Sequence, residues 1–247
     1  MQNIPSGGQS SITIGADGRA LISSADGGYL KVIHCDDRYC GSTTVTDLDS
    51  ASGGDTSVTI GVDGLGLISY YRSGDLGVAH CDDLLCTSAT LSWNNLAVDI
   101  GQYNSVTIGA DGLPLISFYD AIDGNLMVAH CNDVACTSAT TWATLDGTPV
   151  DDVGAYNSVT IGADGLGLIS YYDTANGDLK VAHCRDLDCT AADITTLDSD
   201  GDVGGETSVT IGTDGLPLIG YWDNAPPYHL KVFHCGSPSC TPYFRRR

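Results

Sequence analysis

The motif SVTIGADG, with small variations, occurs five times, beginning at Ser11, Ser57, Ser105, Ser158 and Ser208, with a period of about fifty residues. This self-similarity constrains the fold more than any other feature. A repeat of this length is one supersecondary unit that cannot bury its apolar face alone and must stack on its neighbours. Each copy continues with an apolar run such as LPLISFYD or LGLISYYD, then a Gly-bearing turn, then LMVAHC or LKVAHC, and finally a Thr-rich run such as TTWATLD. These runs have strand length and β-branched or aromatic content, so each unit predicts four strands. Asp-Gly, as at Asp111-Gly112, supplies the positive φ that a tight hairpin needs.

In LISFY and VTI, apolar or small residues fall on both sides, so these strands have no wet face. Sheets buried on both faces fit blades packed around an axis. The expected fold is all-β: a five-bladed β-propeller of four-stranded antiparallel blades, with the SVTIG strand innermost and the Thr-rich strand outermost. A β-solenoid is the alternative, although solenoid periods are usually shorter. The whole chain, 1–247, reads as one repeat domain with blades starting near 11, 57, 105, 158 and 208.

Ten cysteines form five Cys-x4-Cys pairs: Cys35 with Cys40, Cys81 with Cys86, Cys131 with Cys136, Cys184 with Cys189, and Cys235 with Cys240. Each pair spans the end of one strand and the start of the next, where opposed Cα atoms can be bridged, so five disulfides are expected. Zinc is the competing reading, because His34, His80, His130, His183 and His234 each precede a cysteine. Consecutive strand residues point to opposite faces, however, which opposes convergence of His and Cys on one ion. The histidines are expected to be buried between blades as neutral imidazoles bonded to backbone carbonyls. Structural disulfides belong to an oxidising compartment, so the expected location is extracellular or at the cell surface.

With 31 acidic and 10 basic residues, the surface should repel phosphate backbones, so nucleic acid is not an expected partner. No run approaches the ~18 apolar residues of a membrane span, and MQNIPSGGQS lacks both the basic start and the apolar core of a signal peptide. Any export signal is expected to have been removed or never included.

The run ISYYDTANGDLKVAHC resembles the Tyr-Tyr-Asp, Gly-Asp-Leu repeats found in tandem in secreted bacterial proteins. The resemblance covers nearly the whole chain and implies a propeller; it identifies a repeat family better than an activity. Blades one and two depart from it: LISSADGGYLKV lacks the tyrosine pair, and Arg72 stands where Asp120, Asp173 and Asp223 stand in later blades.

No Gly-x-Ser-x-Gly elbow, His-Glu-x-x-His or phosphate loop is present, so no catalytic residues are assigned and no enzyme is expected. No cofactor is expected apart from a structural calcium candidate: DSDGDVGGE places Asp198, Asp200, Asp202 and Glu206 at alternating positions in a Gly-rich loop. The candidate ligand-binding residues are Tyr119 with Asp120, Tyr172 with Asp173, and Trp222 with Asp223. In each pair a flat ring beside a carboxylate suits stacking of a sugar, against the alternative that the rings simply pack between blades. The expected function is an extracellular, non-catalytic binding or adhesion module whose weak repeated sites gain strength by multivalency, with a glycan or cell-surface protein as partner. The alternative is a structural subunit assembling into a homo-oligomer, fibre or layer through its chain ends, since TPYFRRR makes a poor outer strand and MQNIPSGGQ has no blade of its own. A sialidase-like hydrolase comes third, by fold analogy alone.

Overall fold

A computed structural model describes residues 8–93, 99–137, 141–148 and 151–241, which hold nineteen β-strands and no helix. Blade 1 comprises β1 (Ser10–Ile14), β2 (Ala20–Asp26), β3 (Tyr29–Cys35) and β4 (Thr43–Asp49). Blade 2 comprises β5 (Ser52–Ile60), β6 (Gly66–Arg72), β7 (Asp75–Cys81) and β8 (Ala89–Trp93). Blade 3 comprises β9 (Ile100–Ile108), β10 (Pro114–Asp120), β11 (Asn125–His130) and β12 (Thr141–Asp146). Blade 4 comprises β13 (Val153–Ile161), β14 (Gly167–Asp173), β15 (Asp178–Cys184) and β16 (Ala192–Asp198). Blade 5 comprises β17 (Val203–Ile211), β18 (Pro217–Asp223) and β19 (His229–His234). Each sheet is an antiparallel meander in chain order, and the architecture is the five-bladed β-propeller. The expected outer strand TPYFRRR and the arm MQNIPSGGQ lie almost wholly outside the described residues.

The Asp-Gly turn makes each inner hairpin. In blade 3, Gly112 adopts φ 84°, its N–H donates to the Gly109 carbonyl at 3.0 Å, and the Asp111 carboxylate accepts the Leu113 N–H at 3.0 Å. At the same end of each blade, in the turn that leaves the third strand, the paired cysteines lie with Cα atoms 4.7 to 5.0 Å apart and form five disulfides. Among the described residues no helix is long and apolar enough to cross a membrane.

The apolar core lies between blades. Four clusters join blades 1 and 2, 2 and 3, 3 and 4, and 4 and 5, each built from the second and third strands of one blade and from the inner and second strands and the disulfide of the next. A buried polar belt accompanies it: the Ser69 hydroxyl donates to Asn104 at 2.6 Å and Ser117 to Asn157 at 2.5 Å, each reaching the next inner strand. Backbone ties repeat the direction, with Val58, Val106, Val159 and Val209 N–H donating to the hydroxyls of Ser11, Ser57, Ser105 and Ser158. Inner strand packs on inner strand from blade 1 through to blade 5, whereas among the described residues no strand of blade 5 packs on blade 1 to a comparable extent.

Candidate functional site

The inner strands of blades 2 to 5 begin five residues before the serine of their Ser-Val-Thr-Ile segment, and the ladder shifts register in that stretch, as between Ala155 and Ser158. A bulge turns a side chain out of the sheet. At that place stand Tyr103, Tyr156 and Glu206, all with left-handed backbone at φ 51°, 51° and 50°. Asp55 and Gln9 occupy the equivalent places in blades 2 and 1. Left-handed φ is costly for a side-chain-bearing residue and collects at functional sites. Side chains from four blades converge on a shallow axial recess of about 120 Å³ lined by Gln9, Tyr103, Asn104, Tyr156, Asn157, Glu206 and Thr207. Among titratable residues this position carries two acids, Asp55 and Glu206, and two tyrosines.

The wall is aromatic. Tyr103 and Tyr156 have ring centroids 4.6 Å apart, Tyr119 lies 5.9 Å from Tyr103, and Tyr172 lies 6.3 Å from Tyr156, giving a row of four tilted rings. Such a row offers apolar faces with polar edges. Asp55 is held behind it: its carboxylate accepts the Tyr103 N–H at 2.7 Å and a hydrogen bond from Gln9. Burial pushes the Asp55 carboxyl above the usual value, against the opposing pull of those two bonds. The Tyr103 hydroxyl is pushed up to about 12, first by burial and then by Tyr156, Asp55 and Glu206. Glu206 is exposed to solvent.

The residues proposed from sequence divide into two groups. Tyr119 and Tyr172 join the row just described, and each also donates forward, to Asp152 at 2.7 Å and to Asp202 at 2.5 Å. Their neighbours Asp120, Asp173 and Asp223 cap hairpin turns instead, accepting the N–H groups of Ile122, Asn176 and Ala225 respectively. Trp222 stands on the open face of blade 5. The first member of each pair is buried and ties backward where it carries a hydroxyl: Tyr70 to Asp49 at 2.7 Å, Tyr171 to Asp146 at 2.6 Å and Tyr221 to Asp198 at 2.7 Å. Phe118, without a hydroxyl, packs edge-on against Trp142. Arg72 bonds Asp49 at 2.6 Å and lies over the Trp93 ring.

The four acids considered for calcium are dispersed. Asp198 takes Tyr221 and Lys231, Asp202 takes Tyr172 and Asn224, Asp200 donates its N–H to Asp198, and Glu206 lines the axial recess. Among the described residues, metal-ligating atoms gather at Asp111, His130 and Asp188. There Asp111 lies 2.9 Å from Nε2, without hydrogen-bond alignment, and Asp188 lies 3.3 Å from Nδ1. Each ring nitrogen already faces a carboxylate, which is ion-pair geometry.

The histidines differ from expectation in their partner. Each directs Nε2 at the carboxylate of the Asp-Gly turn in its own blade, as His34 to Asp17 at 2.9 Å and His80 to Asp63 at 2.8 Å. The backbone carbonyls are already used by the sheet ladder, so the imidazole takes the turn's carboxylate, its nearest remaining acceptor. Four of the five are buried, as expected, and His234 is exposed.

No family model matches the chain, and no curated protein sequence does either. Its architecture is similar to that of a protein of unknown function from Dyadobacter fermentans DSM 18053, with TM-score 0.66 and 15% identity over 93% of this chain and 76% of that one. It is similar also to the endo-arabinase of Bacteroides thetaiotaomicron, with TM-score 0.54 and 14% identity over 92% of this chain and 93% of the enzyme. A third similar structure is the exo-beta-1,3-galactanase of Phanerochaete chrysosporium, with TM-score 0.60 and 9% identity over 94% of this chain and 61% of the enzyme. These identities carry the propeller fold and no activity. They nevertheless correct the expectation of a non-catalytic module, adhesive or structural, because propellers of similar architecture include an arabinase and a galactanase.

Proposed function

We propose that the chain acts on carbohydrate at the axial recess, as a glycoside hydrolase working outside the cytosol. The observation that carries this reading is a pair of carboxyl groups at one repeat position in unlike environments. Asp55 is half-buried with its carboxyl raised, and Glu206 is exposed at the recess. Unlike environments divide acid from base in this chemistry. Asp55, holding its proton longer, protonates the departing glycosidic oxygen once Gln9 swings aside, and Glu206 draws the proton from the attacking water. The tyrosine row supplies flat faces for a sugar ring, and the Gln9 amide in the same recess offers a hydrogen bond to its hydroxyls. Similarity of fold to an arabinase and a galactanase points the first assays at arabinan and β-1,3-galactan. The five disulfides support an oxidising location.

The test is release of reducing sugar from these polysaccharides and from aryl glycosides. Turnover is expected to fall by a factor on the order of 10² to 10⁴ in Asp55→Asn and in Glu206→Gln, with the acid limb of the pH profile altered in the latter. Absence of turnover across the panel, together with calorimetric titrations showing no sugar binding, refutes the reading.

A further inference from the structure

In blades 1 to 4 the face made by the second and third strands is covered by the following blade. Leu30, Leu76, Leu126 and Leu179 at one position of that face are 0%, 3%, 0% and 0% exposed. In blade 5 the same position, Leu230, is 70% exposed, and beside it Val232 is 61% and Trp222 39% exposed. The opposite edge is open too. Ile12 on blade 1 is 64% exposed, whereas its equivalents Val58, Val106, Val159 and Val209 are 6% to 8% exposed under the preceding blade. Two contiguous apolar faces, one at each end of the row of blades, are therefore uncovered, which is unusual for residues of this kind.

We infer that these two faces form a docking slot for one further four-stranded repeat of the same kind, seated between blade 5 and blade 1. The four internal interfaces define the occupant. It must lay an inner-strand Val or Ile against Leu230 and Val232, and its backbone N–H must meet the Ser208 hydroxyl, as Val209 meets Ser158 at 3.2 Å. Its own Leu-and-Val face must then receive Ile12, as blade 1 receives Val58. A sugar or a polar peptide supplies neither the apolar area nor the strand. A second copy of the chain brings a matching blade 1, but four more blades come behind it and compete for the same space.

The experiment extends the full chain by a copy of residues 153–202 joined after Arg247, and maps solvent access by hydroxyl-radical footprinting. Labelling of Trp222, Leu230 and Ile12 is expected to fall to the level of Leu179, and Val232→Asp is expected to restore it while leaving the original chain's melting temperature unchanged. A copy of residues 100–148 serves where the first extension does not fold. Unchanged labelling in a folded extended chain overturns the inference, because the added repeat then hangs as a separate bead. Protection already present in the original chain at low concentration overturns it in favour of a segment of the chain itself. Protection that grows with concentration overturns it in favour of a second copy.

Discussion

The open end of the blade row makes one repeat position an internal experiment. Leucine occurs there in every blade, buried as Leu126 and Leu179 but exposed as Leu230. Truncation to alanine removes three carbons each time. For Leu179, packed in the cluster with Leu168, Val203 and Ile219, the transfer loss is about 2.4 kcal/mol at about 0.8 kcal/mol per methylene. The unfilled cavity brings the total to roughly 3–4 kcal/mol. Leu230 keeps only about a third of its surface from water, so the same change costs at most about 0.8 kcal/mol, with a few tenths more from strand propensity. The expected gap between Leu179→Ala and Leu230→Ala is therefore roughly 2–3 kcal/mol, with Leu126→Ala beside the former. Urea unfolding followed by circular dichroism measures it, provided the slope with denaturant is shared across variants. Equal losses at Leu179 and Leu230 refute the reasoning, since they require the blade 5 face to be covered in solution.

Two further outcomes follow from the ties between blades. Tyr171→Phe removes the donor to Asp146 but leaves Lys180 on that carboxylate, and Phe118 shows that the ring alone fits; a loss of about 1.5–3 kcal/mol is expected in thermal unfolding. Acid stability has contributions of both signs. At Asp49 and Asp198 burial raises the carboxyl, but Tyr70 with Arg72, and Tyr221 with the Asp200 N–H and Lys231, outweigh it and hold each below 3.8, so their stabilisation is present above 3.8 and lost as pH falls through the lowered folded values. Asp55 runs the other way: raised by burial, it contributes most below 3.8 and progressively less as pH rises through its folded value, so melting curves of Asp55→Asn against pH should lose that decline.

Most of the architecture was legible because it is local and repeated. Asp-Gly turns, alternating strands and Cys-x4-Cys hairpins each depend on residues a few positions apart, and five copies exclude coincidence. The His-to-Asp contact was hidden at a separation of 17 residues in blades 1 and 2, although its recurrence in every unit was a usable signal. The open face was not legible at all. YWD and LKVFH in blade 5 have the apolar pattern of YYD and LKVAH in blade 4, and whether a fifth blade meets the first depends on the accumulated angle between blades rather than on any one of them. The ring-and-acid pairs were visible, yet alternation alone could not show that Tyr119 and Tyr172 would line up with Tyr103 and Tyr156, because a bulge in the inner strand moves those rings off the regular pleat. Their signal lay in variation. Just before a nearly constant Ser-Val-Thr-Ile, the repeats carry Gln9, Asp55, Tyr103, Tyr156 and Glu206 two residues ahead of the serine.

That variable place also separates a functional residue from a structural one. Glu206 holds a left-handed backbone at φ 50°, where glycine sits at no steric cost and glutamate is strained by roughly 1–2 kcal/mol. A side chain exposed to solvent recovers little of that through packing. Glu206→Gly should relieve the strain, offset by about 0.5–1 kcal/mol for the greater freedom of glycine in the unfolded chain. The net expectation is a protein as stable as the original or up to about 1 kcal/mol more stable, with glycoside cleavage lost. Glu206→Ala, which removes the carboxylate but keeps the strain, should lose activity equally without the gain in stability. Chemical denaturation alongside the sugar-release assay reads both quantities. If Glu206→Gly destabilises the fold by more than about 1 kcal/mol, the carboxylate is bracing the axis, and the left-handed backbone there is explained by architecture instead of chemistry.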